Sequence, residues 1–302
     1  MILVNNQSIH DPRINLALEE FVLRNRKEGN YLILYINEPS VIIGKHQNVL
    51  EEVDSRFVEE QDIPVIRRIS GGGAVYHDRG NLNFSLITDH TPDRHNNYRP
   101  FLVPIISALR EVGVEARLNN RNSLVLNDGR KFSGNAQFAT RGRMLSHGTL
   151  LFDADLEALS TALLPDSFSL ESRAVQSIRS RVVNISSVLD LPLSIEEFQR
   201  HIMQGLVPDK PDVEELSEKE WEQVKKLAST KYDSWEWNVG RSPQYTVVHE
   251  TAEGMVLRLS IKDGIVVRVE SEEEEESVAR LANELCGQKF RSELIKRKSS
   301  LH

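Results

Sequence analysis

Several classes of protein are excluded by what this 302-residue sequence lacks. It has one cysteine, Cys286, so it forms no internal disulfide and carries no multi-cysteine metal motif. Acidic residues outnumber basic ones by 45 to 37, and a net charge of −8 does not supply the positive field that general nucleic-acid binding requires. No apolar run reaches the roughly 18 residues that cross a bilayer, and the first residues lack a signal-peptide pattern. We therefore expect a cytoplasmic protein that binds neither nucleic acid nor membranes.

What the sequence contains is typical of a folded protein with a large core, since 39% of its residues are hydrophobic and 27% are charged. Short runs rich in β-branched and aromatic residues predict strands, and helical patterns interrupt them irregularly. The predicted strands are Tyr31–Ile36, Val41–Ile43, Val65–Ile69, Leu82–Ile87, Ser123–Leu126 and Met144–Phe152. Because strict alternation of strand and helix is absent, the pattern favours an α+β fold with a mixed or antiparallel sheet over a Rossmann fold.

Capping residues mark the expected helix boundaries. Asp11 followed by Pro12 predicts the start of an amphipathic helix of about four turns. Ser217 and Glu220 have the spacing of a capping box and predict a second helix start. Further helices are predicted near Leu102–Val112, Asp155–Leu164 and Ile195–Gln204.

The pattern changes near residue 240 to that of a small α/β unit. Asp263 and Gly264 predict a type I′ hairpin turn. Ser271 is predicted to cap a helix that ends at Gly287, and Cys286 is expected to pack beside the apolar face of that helix. We therefore expect a large domain that carries the site and a smaller accessory domain. The expected domains are residues 1–240 and 241–302.

The densest chemical signal is the glycine-rich stretch Arg67–Asp78, which joins two predicted strands. Its three consecutive glycines, Gly71 to Gly73, allow positive φ angles and close approach of backbone N–H groups to a ligand. The two arginines at its start can each bind phosphate or carboxylate oxygens through paired hydrogen bonds. The stretch predicts a site for an anionic small molecule, with a glycine-rich β-turn as the alternative. Neither the P-loop nor the Rossmann glycine spacing occurs.

A second cluster surrounds Lys131, within Arg130–Ala136. A lysine in a strand can place its ammonium group in a pocket, where it would neutralise negative charge that develops on phosphate oxygens. A solvated lysine is the commoner alternative. His147, further along the chain, is likewise more often structural than catalytic.

Taken together, these motifs resemble those of the lipoate–protein ligase family. The family carries an arginine-flanked triglycine loop followed by G-N, then R-N-D, a lysine within R-K-x-S-G-x-A, H-G-T-L, and S-x-R-S-R-V-x-N. The corresponding residues are Arg67–Asp78, Gly80–Asn81, Arg121–Ser123, Arg130–Ala136, His147–Leu150 and Ser177–Asn184. Asn15–Glu20 and Ile43–Asn48 also resemble family motifs. Two positions differ, because Ser123 stands where aspartate is common and Ser146 stands where a second histidine is common.

The resemblance implies a biotin/lipoate ligase-like fold and ATP-dependent activation of free lipoate to lipoyl-AMP, followed by transfer to a lysine of an acceptor domain. It implies ATP and Mg²⁺ as cofactors and lipoate as substrate, with no protein ligand for the metal identified. The implied acceptors are lipoyl domains of 2-oxoacid dehydrogenase complexes or the glycine cleavage H protein. Lys131 is expected to be catalytic. Residues expected to bind lipoate or nucleotide are Arg68, Ser70, Gly71, Gly72, Gly73, Ala74, Val75, Tyr76, His77, Asn83, Lys131 and His147.

Related activities stay open at this point. A lipoyl or octanoyl transferase that uses a preformed acyl donor, or an amidotransferase, would share much of the same sequence. A thioester route is disfavoured, because Cys286 lies in the C-terminal unit, and the G-R-G-R loop of biotin ligases is absent. A non-catalytic module that binds lipoyl-type domains would need neither Lys131 nor the intact Arg68–His77 loop.

Overall fold

The structure is a computed structural model that describes residues 1–119, 121–165, 169–207, 209–250, 254–271 and 276–291. The strands are β1 Ile2–Val4, β2 Tyr31–Ile36, β3 Ser40–Ile43, β4 Val65–Arg67, β5 Val75–His77, β6 Asn81–Asp89, β7 Ala116–Leu118, β8 Ser123–Leu126, β9 Lys131–Ala139, β10 Arg143–Leu151, β11 Ser169–Ser172, β12 Asp212–Glu214, β13 Tyr245–Glu250, β14 Val256–Lys262 and β15 Ile265–Ser271. The α-helices are α1 Pro12–Asn25, α2 Ser55–Glu60, α3 Arg99–Glu111, α4 Leu156–Ala162, α5 Ile195–Leu206, α6 Glu218–Leu227, α7 Trp235–Asn238 and α8 Glu276–Leu285. A π-helical segment, Ala228–Tyr232, follows α6.

A mixed eight-stranded sheet forms the centre of the molecule. Its strand order is β12-β1-β2-β6-β10-β9-β8-β7. The pairs β12–β1 and β1–β2 are parallel, and every other neighbouring pair is antiparallel. This architecture confirms the α+β prediction and the absence of a Rossmann alternation.

Hydrophobic cores cover both faces of this sheet, which explains why strand β2 has an unbroken apolar sequence. Leu32, Leu34 and Ile36 face a core built with α3 and α5. Tyr31 and Tyr35 face the opposite core, built with α1, α6 and the π-helical segment. A strand covered on both faces needs apolar side chains at consecutive positions.

The helix starts predicted at Asp11 and Ser217 are confirmed. The Asp11 side chain accepts a hydrogen bond from the Arg13 N–H at 2.8 Å, with Pro12 in the first turn of α1. Ser217 and Glu220 form both bonds of the capping box at α6. Within the described ranges, none of the helices combines the length and the hydrophobicity needed to cross a membrane.

A three-stranded sheet, ordered β4-β3-β5, carries the glycine loop. Strand β4 ends at Arg67, two residues before the predicted end at Ile69, because the chain leaves the ladder to enter the loop. Strand β5 begins at Val75 and pairs antiparallel with β3. The loop between them therefore starts and ends beside β3.

The C-terminal residues form a four-stranded antiparallel sheet, ordered β11-β13-β14-β15. Asp263 and Gly264 have φ angles of +50° and +70°, as the predicted type I′ turn requires. The outer strand β11 comes from much earlier in the chain. The division into residues 1–240 and 241–302 stays a prediction, since this sheet draws on both sides of that boundary.

The prediction that Cys286 packs as a hydrophobic residue is wrong, because Cys286 is exposed. Helix α8 ends at Leu285, which is buried at 2% exposure, and the next position points roughly 100° away around the helix axis. Val278 and Leu281 do pack against the C-terminal core, as predicted. The predicted helix start after Ser271 falls on residues 272–275, outside the described residues.

Candidate active site

Two adjoining cavities lie beside the glycine loop. The first has a volume of about 310 Å³ and the second about 590 Å³. Both volumes are in the range of small-molecule sites. The residues that line both cavities are Ala74, Val75, Lys131, Gly134, Thr149, Gln176, Ser177, Ile178 and Ser180. A ligand longer than either cavity could therefore extend through this shared boundary.

Lys131 lies at the boundary and is held there by its backbone. Its N–H donates to the Arg181 carbonyl at 2.8 Å, and its carbonyl accepts from the Val183 N–H at 3.0 Å. A Cβ atom added at Gly134 would lie 3.3 Å from Lys131 Nζ, so glycine leaves room for the ammonium group. Burial, and secondarily the charge of Arg68, lowers the pKa of Lys131. An anionic ligand would oppose both effects.

The triglycine turn is shaped by contacts that need glycine. Gly72 has a φ of +90°, a conformation that L side chains rarely adopt. A Cβ added at Gly44, in the turn after β3, would lie 2.0 Å from the Gly72 carbonyl oxygen. The two turns thus pack backbone against backbone, which places the triglycine turn at the cavity wall.

Arg68 holds the same turn from the cavity side. Its Nη2 donates to the carbonyls of Gly71 at 2.6 Å and Gly73 at 2.9 Å, and its Nη1 donates to the Ile42 carbonyl at 3.1 Å. Its Nε donates to Ser70 Oγ at 2.9 Å. Burial lowers the pKa of Arg68 to about 10, so the guanidinium stays charged at neutral pH.

Ser177 supports the turn from the other side. Its Oγ accepts from the Ala74 N–H at 2.8 Å and from Gln47 Nε2 at 3.1 Å, and its own N–H donates to Glu52 Oε1 at 2.9 Å. Burial raises the pKa of Glu52. Residues from the sequence motifs Ile43–Asn48 and Ser177–Asn184 therefore meet at the glycine loop.

Two polar atoms of the first cavity's wall are buried without a hydrogen-bond partner among the described residues. His77 Nδ1 accepts from Asn37 Nδ2 at 2.9 Å, which leaves Nε2 unpartnered. Burial, and secondarily the charge of Arg68, lowers the pKa of His77 to about 3, so the ring is neutral and Nε2 carries a proton. Asn135 Oδ1 is the second such atom. Both atoms belong to residues that line the cavity, but the atoms themselves are enclosed by their neighbours.

Part of the wall of the first cavity is apolar and aromatic. Leu16 from α1, Tyr35 from β2 and Ile42 from β3 line it, and all three are buried. An apolar chain could lie here without leaving a charge unpaired. The cavity thus combines an apolar part with cations and hydrogen-bonding groups.

The structure brings most of the predicted site residues together. Nine of the twelve line the first cavity, namely Arg68, Gly72, Gly73, Ala74, Val75, His77, Asn83, Lys131 and His147. Tyr76 lines the second cavity. Ser70 and Gly71 line neither of these two cavities and lie behind the wall, where they bond to Arg68.

Sequence reasoning missed several wall residues. Leu16 and Tyr35 looked like ordinary core positions, and Ser177 looked like part of a motif without a role. Leu16 and Ser177 could have been found from their positions inside Asn15–Glu20 and Ser177–Asn184, which resemble family motifs, whereas no sequence signal distinguishes Tyr35 from an ordinary strand residue. Ser123, which stands in place of the common aspartate, lines the first cavity and is buried.

The residues do not form a site that would hold Mg²⁺ by themselves. Across the described ranges, no three His, Cys, Asp or Glu side chains come together in a way that could hold a metal ion. Mg²⁺ prefers carboxylates together with substrate phosphates. Any Mg²⁺ at this site would therefore depend on phosphate oxygens of a ligand.

Comparisons with known proteins fit this geometry. Residues 11–207 match the family described as the lipoyl protein ligase A/B catalytic domain. The chain is 47% identical over 273 residues to lipoate–protein ligase LplJ of Bacillus subtilis (strain 168), which covers 87% of this chain and 82% of that protein. 

Many solved structures are similar to the chain, and two of them illustrate the match. One is a lipoate–protein ligase A bound with ATP, at 30% identity and a TM-score of 0.67, covering 80% of this chain and 98% of that chain. The other is from an archaeal lipoylation system of Thermoplasma acidophilum, comprising a bipartite lipoate protein ligase and its E2 lipoyl domain. It has 29% identity and a TM-score of 0.68, covering 80% of this chain and 96% of that chain.

Proposed function

The chain belongs to the lipoyl protein ligase A/B family, and on this premise we propose that it is a lipoate–protein ligase. It activates free lipoate with ATP and attaches the lipoyl group to a protein. The observation that carries the proposal is the position of Lys131, which lines both cavities beside the triglycine turn. A cation at this boundary can lie between a carboxylate from one cavity and a phosphate from the other.

In the first step a carboxylate oxygen of lipoate forms a bond to the α-phosphorus of ATP, and the bond to pyrophosphate breaks. Two anions must approach each other, so catalysis depends on positioning and on neutralising charge. We assign Lys131 to this role, with Arg68 as the second cation at the cavity wall. A partly enclosed site strengthens both interactions, because fewer water molecules screen the charges.

In the second step the amine of an acceptor lysine attacks the lipoyl carbonyl, AMP leaves, and the nitrogen loses a proton. The ammonium group of Lys131 would stabilise negative charge on the carbonyl oxygen and on the leaving phosphate. The step needs no nucleophile from the ligase itself. This agrees with the place of Cys286, which lines neither of the two cavities.

We assign the lipoyl chain to the apolar part of the first cavity, lined by Leu16, Tyr35 and Ile42. The dithiolane ring carries no charge, and these apolar and aromatic side chains need no charged partner. The remaining predicted binding residues keep their proposed roles in holding lipoate or nucleotide, with Ser70 and Gly71 acting from behind the wall.

The proposed substrates are ATP and lipoate, and the proposed partners are lipoyl domains of 2-oxoacid dehydrogenase complexes or the glycine cleavage H protein. Mg²⁺ enters only as a companion of ATP, and no step is assigned to it. The C-terminal residues are proposed as an accessory domain. Location in the cytoplasm stays a prediction from the sequence.

The test is to incubate the protein with lipoate, ATP, Mg²⁺ and an acceptor domain in its unlipoylated form. We expect release of pyrophosphate and a lipoyl mass increase on the acceptor in an intact-mass spectrum. An acceptor whose target lysine is replaced by arginine is the matched control and should stay unmodified. Modification from preformed lipoyl-AMP, without any pyrophosphate release from ATP and lipoate, would contradict the proposal and favour a transferase.

A further inference from the structure

Four side chains form a continuous hydrogen-bonded chain behind the wall of the first cavity. Glu19 Oε2 lies 3.0 Å from His147 Nδ1, and His147 Nε2 lies 2.7 Å from Ser70 Oγ. Ser70 Oγ accepts from Arg68 Nε at 2.9 Å. A carboxylate on α1 is thereby connected to a guanidinium group at the glycine loop. We call these four residues the relay.

The relay alternates between residues that touch the cavity and residues that do not. His147 and Arg68 line the first cavity, whereas Glu19 and Ser70 line neither of the two described beside the loop. All four are buried, with exposures between 0% for Ser70 and 7% for His147. The two hidden members can therefore act on a ligand only through the two that reach it.

The donors and acceptors of the relay admit one consistent arrangement. An ionised carboxylate only accepts, so His147 Nδ1–H donates to Glu19, and in the neutral imidazole Nε2 then accepts. The Ser70 hydroxyl then donates to His147 Nε2, which leaves its lone pairs for Arg68 Nε–H. If Nε2 were protonated instead, the Ser70 hydrogen would have no acceptor among the described side chains. Glu19 thus fixes the tautomer of His147 and the direction of every bond after it.

Glu19 is itself held as a carboxylate. The hydroxyls of Tyr35, at 2.8 Å, and of Ser85 both donate to its Oε1. Burial disfavours the charge, yet the interaction with His147 and these hydrogen bonds keep the pKa of Glu19 below its ordinary value. A buried anion satisfied by several donors can serve as a fixed reference point for the groups bonded to it.

Arg68 needs such an anion. Apart from Ser70, its guanidinium donates to the backbone carbonyls of Ile42, Gly71 and Gly73. In the part of the chain that the structure describes, no carboxylate lies within ion-pair distance of it. Glu19 is the negative charge at the far end of the relay, and the bonds to Gly71 and Gly73 carry the orientation of Arg68 into the triglycine turn.

We propose that Glu19 is a positioning residue of the active site, which acts through His147 and Ser70 to orient Arg68 and the triglycine turn for adenylate formation. The reaction that Glu19 would support is the one under the proposed ligase function, whereas the choice of the four residues rests on their hydrogen bonds alone. Ser70 has a positioning role as well. Its Oγ is buried, accepts from a guanidinium group and does not reach the cavity, so it forms no acyl-serine intermediate despite its histidine and carboxylate neighbours.

The test compares Glu19→Gln with Glu20→Gln. Glu20 is the next residue on α1, is 3% exposed, and pairs with Arg24, Lys231 and Tyr232 away from the cavities. Both variants lose a buried carboxylate, and we expect both to melt at a lower temperature. Only Glu19→Gln should slow pyrophosphate release, by on the order of 100-fold in kcat/KM, because a displaced catalytic cation is that costly.

Two further measurements separate positioning from a loss of structure. The ¹⁵N shifts of His147 should indicate a proton on Nδ1 in the wild type. In Glu19→Gln they should indicate a mixture of tautomers, because an amide can either accept a hydrogen bond from Nδ1–H or donate one to unprotonated Nδ1. The double variant Glu19→Gln/Ser70→Ala should be no slower than Ser70→Ala alone, since both changes break one chain.

Each outcome decides the proposal. Equal turnover by the Glu19 and Glu20 variants, an unchanged His147 tautomer, or additive losses in the double variant would overturn it. Detection of a lipoylated Ser70 by peptide mass spectrometry would also overturn it. An inactive wild type would instead contradict the ligase function, and the tautomer measurement would still report on the relay.

Discussion

Arg67 and Arg68 are neighbours in sequence, and both are buried, yet they belong to two different regions. Arg68 faces the first cavity. Arg67 faces the segment after α6, where Nε and Nη2 donate to the carbonyl of Asn238 at 3.2 and 2.8 Å, and Nη2 to Ser242 Oγ at 3.0 Å. Its Nη1 donates to the Gln47 carbonyl at 2.7 Å. We call this second region, formed by Arg67, Gln47, Asn238 and Ser242, the seam.

The seam and the cavity wall surround their arginines with similar environments. Burial lowers the pKa of each to about 10, and both are bonded largely to backbone carbonyls. The regions differ in that Arg68 borders a cavity and has the relay behind it, whereas Arg67 lines neither of the two cavities of the site. Burial and a shifted pKa therefore do not identify a functional arginine. Access to a ligand does.

The largest expected effect is at the cavity side, in Lys131→Ala. Pyrophosphate release should fall by about 100- to 1000-fold, because the variant loses the cation that neutralises developing charge. The melting temperature should stay near that of the wild type. Arg130→Ala is the matched control, since Arg130 pairs with Asp128 at 2.6 Å at the surface. Equal activity of both variants would remove Lys131 from the mechanism.

The direct test of the comparison is to replace each arginine by lysine. Arg67→Lys should lower the free energy of unfolding by about 3 kcal/mol, because lysine cannot satisfy the carbonyls of the seam. Its turnover while folded should be nearly normal. Arg68→Lys should instead slow pyrophosphate release more than it lowers stability. Urea denaturation and initial rates measure the two effects, and the same profile for both variants would refute the distinction.

The stability of the protein at acidic pH should also depend on His77, which lines the first cavity. His77 has a pKa of about 3 in the folded protein against 6.5 as its ordinary value, so the unfolded chain binds the extra proton first. Stability is then complete above pH 6.5 and falls as the pH drops toward 3, by about 1.4 kcal/mol per pH unit from this residue. His77→Gln should flatten that fall in urea denaturation at pH 4.5 to 7. Parallel curves for both proteins would contradict it.

A smaller effect is expected from Gly72→Val, compared with Gly142→Val. Both glycines have similar φ angles, +90° and +93°, so valine strains both backbones equally. Only at Gly72 does an added Cβ lie 3.0 Å from Arg68 Nη2, while Gly142 has open space. We expect the affinity for lipoate to weaken by about tenfold in Gly72→Val alone, or ~1.4 kcal/mol. Calorimetric titration measures it, and equal affinities would contradict the packing argument.

Local signals made much of the fold predictable. The Asp11–Pro12 helix start, the Ser217 capping box and the Asp263–Gly264 turn each depend on a few neighbouring residues, and the structure has all three. Strands β1 and β12 were not predicted. Each has three residues, and they pair in parallel across about two hundred residues of chain, which no local pattern indicates.

The candidate site was likewise predictable only where a local sequence signal marked its residues. Lys131 and the glycine loop were selected because their residue types are unusual for strands. Glu19 was predicted only as part of the Asn15–Glu20 motif, with no role of its own. Its partners come from distant strands and loops, and only the folded chain brings His147 and Ser70 to it. Cys286 was misplaced because the apolar face of α8 ends one residue before it.

The place of β11 in the C-terminal sheet has a mechanical consequence. Strand β11 ends at Ser172 on that sheet, and Arg181 is bonded to Lys131 on the central one. Residues 173–181 span between these two attachments and supply Ser177 and Ile178 to both cavities. The segment is also held midway, where Ser177 bonds to the Ala74 N–H and to Glu52 Oε1. A change in the position of the C-terminal sheet would therefore also change the shape of the two cavities.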